Sequence, residues 1–274
     1  SSDLVDHIQM LDYAKLPGNK YLINWPNCGN DYFLDWPNMT FEEVQKGISD
    51  AKQHTLNFVY YIQHELGFKN LIVHNEFNTN DSFPWIPYHR ESRRLKGLVQ
   101  LTVNEVRNPY AYDLFKTGIA VGDYPIDHHH DKNPNAPKID FIGIKVPSYN
   151  VPLGSLIPKE TPHFIVAEKN ISVTNIVNGA TRLHPVVLGI GQAAGAVAAL
   201  ALNMDIHPKD VAVRDVQKAL LAEQVYLMPF IDVKPSDSAF YAIQKIGVTG
   251  ILKGQGVSYK WANQTWFYPN AFLS

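Results

Sequence analysis

The sequence predicts an α+β fold, and three observations carry that prediction. They are a capped amphipathic run from Thr40 to Gly67, a Gly- and Ala-rich apolar run from Pro185 to Leu202, and short strand-forming stretches repeatedly interrupted by proline. The first run has helical periodicity and the second has helical length, whereas the third feature is the composition of short strands joined by turns. With 274 residues, 45% hydrophobic and 18% charged, the chain has enough apolar side chain for one large or two modest domains.

Taken in order, residues 20–38 (KYLINWPNCGNDYFLDWPN) mix strand formers with Pro, Asn and Gly, which predicts short strands and tight turns. Thr40 followed by Glu43 is the signature of a capping box. Val44, Ile48, Ala51, Phe58, Val59, Ile62 and Leu66 then recur at helical spacing until Gly67. A strand is predicted around Leu98 to Val103, with turns near Asn108 and Pro109. DYPIDHHHDKNPNAP, residues 123–137, reads as a polar loop, and FIGIKVPSYNVPLGSLIPK as strands broken by prolines. HFIVAEKNISV, residues 163–173, contains a short apolar run that predicts a buried strand. A polar turn leads from it into the Gly- and Ala-rich helix, giving a strand, loop, helix unit whose helix amino terminus faces whatever the loop accommodates. After Met204 the composition changes. VRDVQKALLAEQ predicts a further helix, and a domain boundary falls between Asn203 and His207.

Bulk properties exclude several partners. A formal net charge of -2 and a pI near 6.6, without strong clustering of Lys and Arg, give no electrostatic footprint for nucleic acid or an anionic membrane. The Pro185–Leu202 run approaches membrane-spanning length, but Gln192 and its many small residues predict a closely packed core helix and no membrane span. A single cysteine, Cys28, rules out an internal disulfide framework and reads as a plain thiol. The opening SSDLVDHIQM has neither a charged start nor a long apolar core, so these residues contain no visible signal peptide. In DHHHD, Asp127 to Asp131, three adjacent histidines cannot all face one ion in ordinary backbone geometry, and no metal is expected there.

The longest recognisable pattern is VAEKNISVTNIVNGATRLHPVVLGIGQAAGAVAALAL, Val166 to Leu202. It resembles the closing segment of the FAD-dependent oxidoreductase family, with an arginine ahead of a proline and then GQAAG. IPYHRESRRLKG, GDYPIDHHH and VPLGSLIPKE are similar to segments that precede it in that family, so the resemblance spans roughly Tyr21 to Leu202. The resemblance implies that residues 1–203 combine a mixed-sheet, substrate-side domain, to about residue 160, with the returning strand and helix of an incomplete FAD-binding domain. The family's GxGxxG phosphate loop, with its distant ribose-binding acid, is nowhere in the 274 residues. The chain is therefore expected to be the carboxy-terminal part of a longer flavin enzyme, inactive alone and completed by a preceding segment of the same protein.

By the same resemblance, Asn175, Asn178, Gly189, Gly191 and Gln192 are the cofactor-binding candidates. Gly189, Gly191 and Gly195 have no side chain to hold a flat ring away from the backbone. A helix dipole aimed at the pyrimidine edge of the isoalloxazine favours the negative charge of the reduced ring. Arg182, His129 and Asp127 are the catalytic candidates. The arginine either holds an anionic substrate group or pairs with a structural carboxylate. His129 with a nearby acid either suits proton transfer or lies in a surface loop. Arg93 and Arg94 either bind substrate or flavin oxygens or lie in solvent. Glu168 departs from the family, in which glycine is usual at this place, and its bulk and charge oppose flavin binding.

FIDVKPSDSAFYAIQKIGVTGILKGQG with the later FYPNAF is similar to one S-layer homology repeat, so residues 204–274 are expected to form a small helical carboxy-terminal domain with an unspecified partner. That repeat, with Trp25, Trp36, Trp85 and Trp261, also supports a competing class: a non-enzymatic carbohydrate- or envelope-binding module whose aromatic rings stack on sugars. Some relatives carry polysaccharide lyase names, but no residue constellation in the sequence suits that chemistry. The resemblance leaves the substrate open between an organic small molecule and a carbohydrate-derived one.

Overall fold

The computed structural model describes residues 11–12, 14–25, 29–129, 133, 139–140, 143–260 and 262–271. Cys28, His130, Asp131 and Trp261 lie outside them. The fold is mixed α+β, with helices and three two-stranded antiparallel sheets among the described residues. It divides into two compact units. The first contains the described residues of Ser1–Arg90 and His129–Lys138, and the second those of Glu91–His128 and Ile139–Ser274.

The first unit is organised by helix α1, Phe41–His64. Thr40 Oγ1 accepts from the Glu43 amide at 3.3 Å, and the Glu43 carboxylate accepts from the Thr40 amide at 2.7 Å. The capping box is thus complete and satisfies donors that the first helical turn leaves without partners. Val44, Gly47, Phe58 and Ile62 face inward, and Trp25 packs edge-on against Phe58 with ring centroids 5.5 Å apart. Gly67 follows with φ +83°, a left-handed conformation that glycine adopts without the penalty of a Cβ. Only the hairpin β1–β2, Lys15–Leu16 with Lys20–Tyr21, forms strands in the described part of this unit. Residues 36–38 turn into a short 3₁₀ segment instead.

The second unit is built on the β3–β4 pair, Gly118–Gly122 with Tyr149–Pro152. The apolar helix α4, His184–Met204, packs on β3, preceded in the chain by α2, Val103–Arg107, and α3, Asn175–Thr181. Pro185 lies in the first turn of α4, where its missing amide hydrogen costs nothing, and Asp205 closes the helix in a left-handed conformation. Ile119, Tyr149, Val151, Leu156, Ile171, Val177, Ile190 and Val197 form the core between these elements.

Two expected strands are absent. Residues 95–101 instead form a ribbon: Leu95, Leu98 and Leu101 amides donate to Asn170, Ile157 and Ser172 carbonyls, with only single bridges at Gly97 and Leu101. The crossing is very close, since a Cβ at Gly97 would stand 2.8 Å from the Gly154 carbonyl oxygen. The 163–173 run is also irregular. Val166 donates to Leu156 and packs on the core, whereas Phe164 is half exposed and His163 turns to φ +56°, so the segment pairs only at its end, where Asn170 to Val173 meet residues 95–101. Conversely, the polar turn before the apolar helix is itself helical, as α3.

Beyond Met204 come α5, Val213–Ala222, which packs against α4, then α6, Phe240–Gly247, and the hairpin β5–β6, Gln255–Tyr259 with Ala262–Trp266. The hairpin occupies the residues ahead of the closing segment of the repeat-like sequence. These elements share the core of the second unit through Leu220, Leu227, Phe230 and Phe240. Their polar groups also reach into it. The Gln217 amide donates to the Gly118 carbonyl at 2.8 Å, and Asn263 donates to the Val146 carbonyl at 2.9 Å. Gln244, fully buried, accepts from the Leu227 and Met228 amides at 2.8 and 2.7 Å.

Candidate functional site

In the second unit, α3 gathers several of the sequence candidates. Thr174 caps it, accepting from the Val177 amide, and Arg182 closes it as the carboxy-terminal cap, where a cation also suits the helix dipole. Asn175 and Asn178 therefore stand on a helix and not in a loop. The Asn175 amide donates to Glu91 Oε2 at 2.8 Å, and Asn178 is buried in the helix. Glu91 Oε1 lies 2.9 Å from His128 Nδ1, and His128 Nε2 lies 2.9 Å from the Ile176 carbonyl oxygen. Both ring nitrogens of this buried histidine thus face acceptors and fasten α3 to the segment leading to residue 128. Gly179 is what allows the close approach, because a Cβ there would stand 2.7 Å from both His128 Nε2 and the Asp127 carbonyl oxygen.

Arg182 and Asp127 are brought together. The guanidinium donates through one terminal nitrogen to the Asp127 carbonyl at 3.1 Å and to its carboxylate at 3.3 Å. The arginine side chain is only 5% exposed, and its Nε is buried without a hydrogen-bond partner among the described residues. A buried guanidinium with an unspent donor is costly unless something else accepts from it.

His129 belongs to the first unit, where its carboxylate partner is Asp31. His129 Nδ1 stands 2.9 Å from Asp31 Oδ2, and Arg90 donates to Asp31 Oδ1 at 2.6 Å. Burial pushes the Asp31 carboxyl up, but the His129 hydrogen bond and the Arg90 charge outweigh it and hold the group below the ordinary carboxylate range. Sequence reading missed Asp31, Arg90, Glu91 and His128 as participants. Arg90 and Asp31 are 59 positions apart, and the acid of RESRR looks like local charge compensation.

The glycines of GIGQAAG stand well inside α4 and not at its amino terminus. Amides there are spent on the helix's own hydrogen bonds, so what these residues offer is a wall without side chains. Gly189 faces β3, with the Ala120 Cβ 3.1 Å from where its own Cβ would lie. Among the described residues, Gly191 has only the Ala167 carbonyl oxygen at 3.7 Å, and Gly195 has nothing within 4 Å. Leu188, Gln192, Gly195, Ala199 and Leu202 alternate at four and three residues and form one exposed face. By length and composition α4 is apolar enough to cross a membrane. Within the second unit its other face is core.

The remaining candidates are peripheral. Arg93 is exposed, and Arg94 is half-buried with a long bond to the Ser92 carbonyl. Glu168 is half exposed, and its carboxylate pairs with Lys169 at 3.1 Å, which compensates its charge locally. Trp25 and Trp36 pack within the first unit, on Phe58 and His89, whereas Trp85 is 86% exposed. A family model described as FAD dependent oxidoreductase matches residues 2–220. No curated protein and no solved structure matches the chain.

Proposed function

Because this chain belongs to the FAD dependent oxidoreductase family, we propose that it is the carboxy-terminal part of a flavin enzyme that transfers electrons or a hydride between FAD and an organic substrate. The observation that carries this reading is the pair of glycines one turn apart in α4, Gly191 half-buried and Gly195 exposed, where no Cβ stands out from the helix. A glycine inside a helix costs roughly 0.5–1 kcal/mol relative to alanine. Among the described residues, nothing in the packing requires glycine at position 195. A flat ring lying against the helix does, and Gln192, on the same face, is placed to hydrogen-bond its edge.

The phosphate loop that the family uses for the pyrophosphate is missing from the 274 residues, so a preceding segment of the same protein supplies it and covers the exposed face of α4. The chain alone is therefore a weak flavin binder and inactive. When bound, FAD supplies the two-electron redox centre. The chain's own residues bind and orient. Arg182, with Asp127 beside it and Nε unspent, takes an anionic group of the substrate. Asn175 and Asn178 hold α3 in position, and Arg93 and Arg94 reach substrate or cofactor oxygens. His129 moves a proton. Compensation of the Glu168 charge by Lys169 lowers the barrier to binding that this departure from the family raises.

Substitution at the wall tests the reading. Gly191→Leu in the full-length protein should abolish the flavin absorbance that copurifies with the wild type, while the Tm of the 274-residue chain does not fall. Full retention of flavin by the variant would contradict the proposal.

A further inference from the structure

We propose that Asp31 and Arg90 are positioning residues for His129: the Asp31 carboxylate takes the hydrogen of Nδ1 and thereby fixes the lone pair of the neutral ring on Nε2, while Arg90 anchors the opposite carboxylate oxygen. The inference deepens the proton-transfer role proposed for His129 and rests on that reading.

An ionised carboxylate has only lone pairs to offer, so each contact at 2.6–2.9 Å must bring its own hydrogen. Arg90 always can, because its guanidinium does not lose its proton in the accessible pH range. Its charge keeps Asp31 ionised, and the imidazole nitrogen facing Oδ2 must then be the one that carries hydrogen. In a free histidine the opposite tautomer, with hydrogen on Nε2, is readily available. Here the Asp31 contact selects between the two, and that selection decides which nitrogen accepts a proton.

The trio is also placed to hold this geometry. Asp31 is 11% exposed, Arg90 22% and His129 18%, so the charges act on one another through little solvent. The three residues come from three separate segments of the first unit, with Arg90 also lying over the Tyr88 ring at 5.5 Å, which restrains its fork. The neighbouring His128 makes the contrast. Both of its nitrogens lie against acceptors, Glu91 and the Ile176 carbonyl, in a fully buried ring. The Nδ1 of His129, by contrast, faces an ionised carboxylate whose other oxygen is held by Arg90.

Nitrogen-15 spectra of the imidazole rings, recorded on the labelled 274-residue chain across neutral pH, read the tautomer directly. Neutral His129 should show a protonated Nδ1 and an unprotonated Nε2. Asp31→Ala should move the hydrogen to Nε2. The near-isosteric Asp31→Asn, which preserves the shape of the site, should lower the His129 titration midpoint by about one pH unit or more, and Asp127→Asn should change neither property. Hydrogen on Nε2 in the wild type, or a midpoint unmoved by Asp31→Asn with backbone spectra unchanged, would overturn the assignment. Because the ring is observed without cofactor or substrate, these outcomes are independent of whether the protein binds flavin, which its visible spectrum reports separately.

Discussion

Gly179 illustrates how much of this molecule depends on single atoms. Its missing Cβ lets α3 lie against residues 127 and 128, where His128 bridges Glu91 and the Ile176 carbonyl. An added methyl would press on a backbone oxygen and a buried ring, neither of which can swing away. Gly179→Ala should therefore destabilise the second unit by about 1–3 kcal/mol, the usual cost of overpacking, as read by urea unfolding. An unchanged midpoint would show that the helix can shift at no cost. At this scale the sequence was only partly legible. Arg182, Asp127 and His129 stand out by family position, but their partners do not. His128 and Glu91 are 37 positions apart, and Asp31 and Arg90 are 59 apart. No local pattern encodes contacts that only the folded chain creates.

At the scale of elements, legibility followed the range of the interactions. Helix α1 is written in local signals, a capping box and a 3.6-residue apolar period, and it forms where they place it. Helix α4 is similarly marked by composition. Helix α3 was hidden because seven residues containing Asn and Gly show too few turns for periodicity to emerge, and packing against residues 127 and 128 stabilises it. The strands expected at 98–103 and 163–173 depended on pairing partners that sequence does not specify, and glycine-mediated crossings took their place. Within α4 the two ends of the glycine run should behave oppositely. Gly195→Ala, with nothing near the new methyl, should stabilise the isolated chain by roughly 0.5–1 kcal/mol, whereas Gly189→Ala must push on Ala120 and should stabilise it less or destabilise it. Thermal unfolding of the two variants side by side checks the contrast. Equal shifts would mean that the helix faces are not distinguished in this way.

For the whole molecule, the residues after Met204 belong to the same core as α4, through buried side chains and through Gln244, which satisfies two backbone amides at once. Removing that side chain strands both donors in the interior. Gln244→Ala should cost about 2–4 kcal/mol and lower the melting of the entire second unit together, including probes placed in α3 and α4. Melting of residues 204–274 alone, with α4 unaffected, would show that the tail unfolds separately. The family assignment and the wall of α4 lead to one central claim, that this polypeptide forms part of a flavin site completed by a preceding segment. The visible absorbance spectrum of the purified full-length protein, recorded beside that of the 274-residue chain, tests it most directly. Flavin bands are expected in the full-length protein and should be lost from the shorter chain. No flavin in either, even after FAD is added, would contradict it.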